Sequence, residues 1–283
     1  MRPTVFYFSD GNDIDYLTAS LRSVERNASL DEPPIVFSTR PIAIDQPHRL
    51  EILQELRLPT VDTTVYGPQK FMSVCMRIAA IDWLRERCFE SAIYLDTDTI
   101  VMRRMALIER FLESSKAIGA VEDLEHLSRA ISGASATDFR VPPSVNVDRY
   151  FNSGVLALRL SKLPSRPLAE ELYDFLIEVP APAYPDQDFL NWYAQKYDLF
   201  EPLPGECNAI AGLLAMTSTT FERDRNKRWF IDEVEVAHYA SVKPDTLQQN
   251  SRLFYQLAID YLPDCEVRRQ AEHGLALLHP LVK

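Results

Sequence analysis

The chain has 283 residues, 46% of them hydrophobic, which is enough to bury the core of one large domain or two modest ones. Lys and Arg number 30 against 41 Asp and Glu, so the formal net charge of −11 disfavours nucleic acid as a partner. No apolar run has the length of a membrane-spanning helix, and an acidic residue comes too early for a secretory signal, so we expect a cytoplasmic protein.

Short apolar runs alternate with segments of helical spacing along the first third of the chain. TVFYFSD at 4–10 predicts a strand that ends in an acidic turn, and apolar residues three or four apart between 14 and 24 predict a helix. A second strand is predicted within 33–40 and a second helix within 71–87. The run AIYLDTDTIV follows at 92–101 and predicts a buried strand that carries two carboxylates.

The same alternation continues downstream. Strands are predicted at 117–121 and 153–160, and the helix LAEELYDFLIEV follows the second. This order favours an α/β fold, with parallel strands in one sheet and helices on its faces. We expect a single domain over 1–283 with a helical extension from about 246, and the polar stretch 125–150 predicts a long loop or flap. The extension suggests at most peripheral contact with the inner face of a membrane.

Asp96 and Asp98 are the first candidates for a functional site. Burying two unpaired carboxylates together costs several kcal/mol each, so we expect them at the carboxyl end of their strand, where ligands of such sheets bind. There a hard divalent cation such as Mg²⁺ or Mn²⁺ could neutralise them. The alternative is that Asp96 caps a turn and Asp98 is a solvated loop residue.

Two later segments place polar side chains beside predicted elements. Asn152 comes just before a strand, and Asp186 and Gln187 come just before a helix. Amide groups suit sugar hydroxyls because they offer both a donor and an acceptor, although Asp186 could simply cap the helix. His238 could complete the coordination of a metal and Lys243 could meet a phosphate, but a lone histidine is more often a hydrogen-bonded core residue.

The segments YLDTDTIV, FNSGVLAL, DQDFLN and HYASVKP stand in the order and at roughly the spacings of glycosyltransferase family 8. The chain resembles this family, which includes glycogenin and bacterial lipopolysaccharide glycosyltransferases, from its first strand to about residue 245. The resemblance implies a GT-A (Rossmann-like) nucleotide-diphospho-sugar transferase fold with a mixed, mostly parallel sheet. It also implies Mn²⁺ (or Mg²⁺), a UDP-sugar donor, a retaining mechanism, and a glycan, lipid-linked or protein acceptor.

When the family's functional residues are transferred to the matching positions, the resemblance implies that Asp96, Asp98 and His238 bind the metal. It implies a catalytic role for Asp186 and Gln187, the latter on the face where a retaining enzyme places a weak nucleophile. The donor would be bound by Asp10, Arg77, Asp96, Asp123, Asn152 and Lys243, with Asp13 rivalling Asp10 for the uracil. The family's HxxGxxKPW motif is altered, because Lys243 follows His238 by five residues instead of six, Ser241 replaces Gly and Asp245 replaces Trp.

Two other functions remain open at this point. A phosphatase in which Asp96 attacks phosphorus shares the local pattern. Such an enzyme would have its nucleophile early in the chain and an Asp-Asp pair downstream, and this chain has neither feature. A catalytically idle relative could bind a nucleotide sugar or a partner protein through the same cleft, and the altered HxxGxxKPW motif is its support.

Overall fold

The computed structural model describes residues 2–64, 67–123, 144–210, 234–240, 259–262 and 264–278. Ten strands lie in these ranges: β1 (Thr4–Phe8), β2 (Ile35–Ser38), β3 (Arg49–Ile52), β4 (Ala92–Leu95), β5 (Thr99–Val101), β6 (Ile118–Ala120), β7 (Val155–Leu158), β8 (Phe200–Pro202), β9 (Ala209–Ile210) and β10 (Val236–His238). The α-helices are α1 (Ile14–Asn27), α2 (Pro68–Glu86), α3 (Ala106–Phe111), α4 (Leu168–Glu178), α5 (Pro185–Lys196) and α6 (Glu266–Leu278).

Seven strands form the main sheet, in the order β3-β2-β1-β4-β7-β6-β8. Every neighbouring pair is parallel except the two that involve β7, which runs antiparallel to β4 and β6. The expected mixed, mostly parallel sheet is therefore confirmed. Because β7 is reversed, the residues before it lie at the same edge as the carboxyl ends of β1, β4 and β6.

Both faces of the sheet are covered by helices. Side chains alternate between the faces of a strand, so Phe6 faces one way and its neighbours Val5 and Tyr7 face the other. Phe6 belongs to a core formed with α2, α4 and α5, and Val5 and Tyr7 belong to one formed with α1 and α3. The central strands β1, β4 and β7 are apolar on both faces because both faces are buried.

The run at 92–101 is two strands instead of one. The chain leaves the main sheet after Leu95, turns through Asp96 and Asp98, and enters a second sheet of order β5-β10-β9. The expectation that the acidic pair follows a strand end is confirmed, and a turn separates the two halves. In the second sheet β10 pairs antiparallel with β5, and His238 lies opposite Thr99.

One further difference concerns a helix. Helix α5 begins at Pro185, so Asp186 and Gln187 lie in its first turn instead of before it. Helix α6 falls within the predicted C-terminal extension, and in the part of the chain that the structure describes no helix is long and apolar enough to cross a membrane.

Candidate active site

A cleft of about 920 Å³ opens at the edge of the sheet where the strand ends meet. Every predicted site residue that the structure describes lines it, namely Asp10, Arg77, Asp96, Asp98, Asp123, Asn152, Asp186, Gln187 and His238. Lys243, like the rest of the altered motif from Ser241 onward, lies outside the described residues. Residues far apart in the sequence therefore converge on one site.

Asp96, Asp98 and His238 form a compact cluster in this cleft. Each offers one ligand atom, and these atoms all lie within 4.8 Å of one another. His238 Nε2 is 3.5 Å from Asp96 Oδ2 and 3.4 Å from Asp98 Oδ1. Asp98 and His238 are buried and Asp96 is partly exposed. Two carboxylates and an imidazole suit a divalent cation such as Mn²⁺, so the cluster could hold one.

The imidazole of His238 is backed by two asparagines. Its Nδ1 lies 2.9 Å from Asn208 Oδ1, and Asn208 Nδ2 donates to Asn152 Oδ1 at 2.9 Å. The backbone N–H of Gly154 donates to the same oxygen of Asn152 at 3.0 Å. Asn152 stands in a recognisable motif of the sequence, whereas no local pattern marks Asn208.

Glycine is required at position 154 because two side chains of the cluster lie very close to its backbone. A Cβ at this position would overlap the imidazole of His238 and would lie 2.8 Å from Asp96 Oδ2. Since real side chains do not tolerate such contacts, only glycine lets both side chains approach the start of β7.

Arg77 is the buried counter-charge of the site. Its guanidinium pairs with Asp186, lies 3.7 Å from Asp96 Oδ1 and stacks 4.8 Å from the centre of the Tyr94 ring. It also donates to Ser153 O at 2.8 Å. Burial lowers the pKa of Arg77, but the neighbouring carboxylates outweigh this and raise it above its usual range. Arg77 thus joins α2 to the ends of β4, β7 and α5 with a permanent positive charge.

The side chain of Gln187 is oriented by its neighbours. Its Oε1 accepts hydrogen bonds from the backbone N–H of Ser153 at 3.0 Å and from Ser153 Oγ at 3.3 Å. Its Nε2 donates to Asp123 Oδ2 at 3.1 Å. The adjacent Asp186 is buried, and burial raises its pKa above the ordinary value although Arg77 acts in the opposite direction. The amide of Gln187 therefore has a defined orientation in the cleft wall.

Two other residues of α5 have structural roles. Asp188 accepts hydrogen bonds from Tyr150 Oη at 2.6 Å and from the backbone N–H of Tyr184 at 2.9 Å, so it secures the start of the helix. Asn191 exchanges two hydrogen bonds with the backbone of Phe151, at 2.8 and 2.9 Å. Together these contacts fix α5 against the residues that precede β7.

Asp10 and Asp13 occupy the cleft at the end of β1. Asp10 Oδ1 accepts from the backbone N–H of Asn12 at 2.9 Å. Asp13 accepts from Ser9 Oγ at 2.6 Å and from Thr97 Oγ1, which stands between the two acidic residues of the β4–β5 turn. Burial raises the pKa of Asp13. Asp13 therefore ties the first turn of the chain to the acidic turn.

The sheet and its edge cleft correspond to the GT-A fold, as structural comparisons show. The bifunctional glycosyltransferase WbbM has a TM-score of 0.69 at 16% identity, over 97% of this chain and 52% of WbbM. The galactosyltransferase LgtC, in the form of an active-site mutant, has a TM-score of 0.60 at 16% identity, over 95% of this chain and 99% of LgtC. GlyE from Streptococcus pneumoniae TIGR4 has 0.55 at 14% identity, over 98% of this chain and 64% of GlyE.

These identities establish similarity of fold, and this chain spans about half the length of WbbM. A comparison with the curated proteins finds no sequence match. The family model described as glycosyl transferase family 8 matches residues 6–244. The chain therefore belongs to glycosyltransferase family 8 and is a glycosyltransferase, which confirms the resemblance and gives no support to the phosphatase alternative.

Proposed function

We propose that this glycosyltransferase transfers a hexosyl group from a UDP-sugar to an acceptor hydroxyl, with Mn²⁺ (or Mg²⁺) as cofactor and with retention of anomeric configuration. The observation that carries the proposal is the convergence of Asp96, Asp98 and His238 on one polar cleft. In a chain of net charge −11, a bound cation would offset the repulsion between an anionic donor and the carboxylates of the cleft. LgtC, which shares the fold, has been solved with donor and acceptor sugar analogues.

In this proposal Asp96, Asp98 and His238 hold the cation. When bound, the cation supplies Lewis-acid stabilisation of the negative charge that develops on the leaving diphosphate. Asp96 also accepts a hydrogen bond from Tyr94 Oη at 2.7 Å, so one of its oxygens is oriented before any ligand arrives. Lys243 would neutralise a phosphate oxygen as a point charge.

The donor sugar would lie against Asp123, Asn152, Asp186 and Gln187. Carboxylate and amide oxygens there would stabilise an oxocarbenium-like transition state. Gln187 is proposed to lie on the face of the donor sugar at which the acceptor attacks. Its oxygen either acts as a weak nucleophile there or stabilises the transition state while the diphosphate leaves and the acceptor attacks on that same face. Asp10 would contact the uracil, and Arg77 would bind the donor while its guanidinium keeps Asp186 in place. The acceptor would be a glycan, a lipid-linked saccharide or a protein.

A panel of UDP-sugars tests the proposal through slow hydrolysis of the donor. We expect at least one UDP-hexose to release UDP in the presence of Mn²⁺, and we expect EDTA to abolish this release. Asp98→Ala should lower the rate by at least about 100-fold, because loss of a metal ligand removes stabilisation of the leaving group. The exposed Asp45, outside the cleft lining, provides the matched control Asp45→Ala, which should retain wild-type activity.

Three results would count against the proposal. Turnover that is unchanged by EDTA would contradict the metal dependence. Metal-dependent binding of UDP without hydrolysis or transfer would indicate the catalytically idle relative. Phosphate release from p-nitrophenyl phosphate without any turnover of nucleotide sugars would indicate the phosphatase.

A further inference from the structure

Asn208 lies behind the imidazole of His238, on the side away from the two carboxylates, and it is 2% exposed. We propose that Asn208 is a positioning residue that keeps the imidazole proton of His238 on Nδ1 and so leaves the lone pair of Nε2 available to a divalent cation. This role rests on the proposed metal dependence, because its purpose is to present Nε2 between Asp96 and Asp98.

The direction of the hydrogen bonds is set by a backbone group. The N–H of Gly154 can only donate, so the side-chain atom of Asn152 that it meets at 3.0 Å must be the carbonyl oxygen. The side-chain atom of Asn208 that lies 2.9 Å from this oxygen must then be the amide nitrogen. The remaining oxygen of Asn208 faces His238 Nδ1 at 2.9 Å, and it can only accept. The proton is therefore on Nδ1.

In the metal-free protein, nearby negative charge favours the opposite tautomer, in which Nε2 carries the proton. A proton on Nε2 would point toward Asp96 Oδ2 and Asp98 Oδ1, at 3.5 and 3.4 Å, and would be stabilised by their negative charge. A metal would then have to displace that proton. To accommodate this tautomer, Asn208 would have to turn its amide over, which would bring its oxygen against the oxygen of Asn152. The hydrogen bonds that link Gly154, Asn152 and Asn208 oppose this rearrangement.

Metal-binding histidines commonly donate their second N–H to a fixed acceptor, and loss of that acceptor weakens metal binding by about 10–100-fold. Here the acceptor is an amide oxygen, whose orientation depends on a second amide. Asn208 is separated from Asn152 by 56 positions and from His238 by 30, which is why no local motif identifies it.

The tautomer can be measured directly by long-range ¹H–¹⁵N NMR of the imidazole rings in the metal-free protein, at a pH of about 8.5, where an ordinary histidine is neutral. The chain has 5 histidines, and the signal of His238 is identified by its loss in His238→Gln. We expect the wild-type protein to carry the proton on Nδ1. A wild-type protein with the proton on Nε2 would overturn the proposal without any further variant.

The variant Asn208→Leu keeps the approximate shape of the side chain and removes the acceptor. We expect the proton to move to Nε2, toward the carboxylates, and the affinity for Mn²⁺ alone, titrated by electron paramagnetic resonance, to fall by about 10–100-fold. The matched control is Asn27→Leu, because Asn27 also donates from its amide, to Val101 O at 2.7 Å, but lies outside the cleft lining. It should leave both the tautomer and the Mn²⁺ affinity at wild-type values.

The two readouts separate this inference from the proposed function. A folded Asn208→Leu protein that keeps its proton on Nδ1, or that binds Mn²⁺ as tightly as the wild type, would overturn the role of Asn208. If the wild-type protein has the proton on Nδ1 but binds no Mn²⁺, the metal-dependent function fails while the tautomer assignment stands.

Discussion

At the scale of single residues, Gly154 is the position where the smallest change has the largest expected effect. We expect Gly154→Ala to lower the free energy of unfolding by about 1–3 kcal/mol, because the added methyl group overlaps His238 and Asp96. Displacement of these two side chains should also weaken Mn²⁺ binding by at least about 10-fold. Thermal unfolding and a metal titration measure the two effects.

A second glycine provides the control for this substitution. A methyl group at Gly205 would meet no atom within 4 Å. Gly205→Ala should therefore change the free energy of unfolding by less than about 0.5 kcal/mol and leave Mn²⁺ affinity unchanged. Equal changes in the free energy of unfolding and in Mn²⁺ affinity in the two variants would show that the close approach of His238 and Asp96 to Gly154 affects neither quantity.

The residues of the candidate site can be predicted from the sequence, whereas the residues that orient them cannot. Asp96, Asp98 and His238 are of types that bind metals, and they stand in segments whose order is recognisable, so they could be predicted before the cleft was seen. Ser153 orients Gln187 through its backbone N–H, and every residue except proline has such a group. Asn208 acts through partners that only the folded chain brings together. Roles of this kind depend on tertiary contacts and leave no local pattern.

At the scale of elements, a buried carboxylate joins α4 to the end of α5. Glu171 accepts from Lys196 Nζ at 2.8 Å and from Tyr197 Oη at 2.7 Å. Burial raises the pKa of Glu171, but these hydrogen bonds outweigh it and lower the pKa below the ordinary 4.5. We expect Glu171→Gln to lower the free energy of unfolding by about 2 kcal/mol at pH 7, measured by denaturant titration.

This difference should depend on pH in a defined direction. A carboxylate whose pKa is lower in the folded than in the unfolded state stabilises the fold above the unfolded-state value of 4.5. The stabilisation is lost as the pH falls below 4.5 and through the lower pKa of the folded state. The variant and the wild type should therefore converge at low pH. The exposed Glu170 is the control, and Glu170→Gln should change stability by less than about 0.5 kcal/mol at any of these pH values. A difference for Glu171→Gln that persists undiminished at the lowest pH would contradict this account.

Elements with strong apolar patterns could be predicted from the sequence, and the direction of a strand could not. The apolar run at 153–160 predicts a buried strand, and β7 is that strand, but the same run fits a parallel or an antiparallel neighbour. The break between β4 and β5 is similarly hidden, because both halves of the run are buried and only the turn at Asp96 separates them. Strands β3 and β8 contain charged residues, and their short polar sequences do not distinguish them from loops.

At the scale of the whole molecule, the acidic cluster should make stability depend on the metal. A ligand at 100 times its dissociation constant stabilises a protein by about 2.7 kcal/mol, which for a chain of this size raises Tm by about 5 °C. We expect this increase for the wild-type protein on addition of Mn²⁺ and its reversal by EDTA, measured by differential scanning calorimetry.

Asp98→Asn tests whether the increase comes from the proposed cluster. The variant removes one of two carboxylates whose ligand atoms lie within 4.8 Å of each other, so their repulsion in the metal-free protein is relieved. We expect its Tm in EDTA to equal or exceed that of the wild type and its response to Mn²⁺ to be lost. Asp45→Asn should respond to Mn²⁺ as the wild type does, and a full response from Asp98→Asn would place the stabilising ion elsewhere.

The most direct test of the metal-dependent transferase is a crystal grown with Mn²⁺ and UDP, with data collected near the manganese absorption edge. We predict one anomalous peak in the cleft, within coordination distance of oxygens from Asp96 and Asp98 and of Nε2 of His238, with the diphosphate bound beside it. A peak elsewhere, or an imidazole of His238 turned away from an ion that the two carboxylates hold alone, would contradict the account.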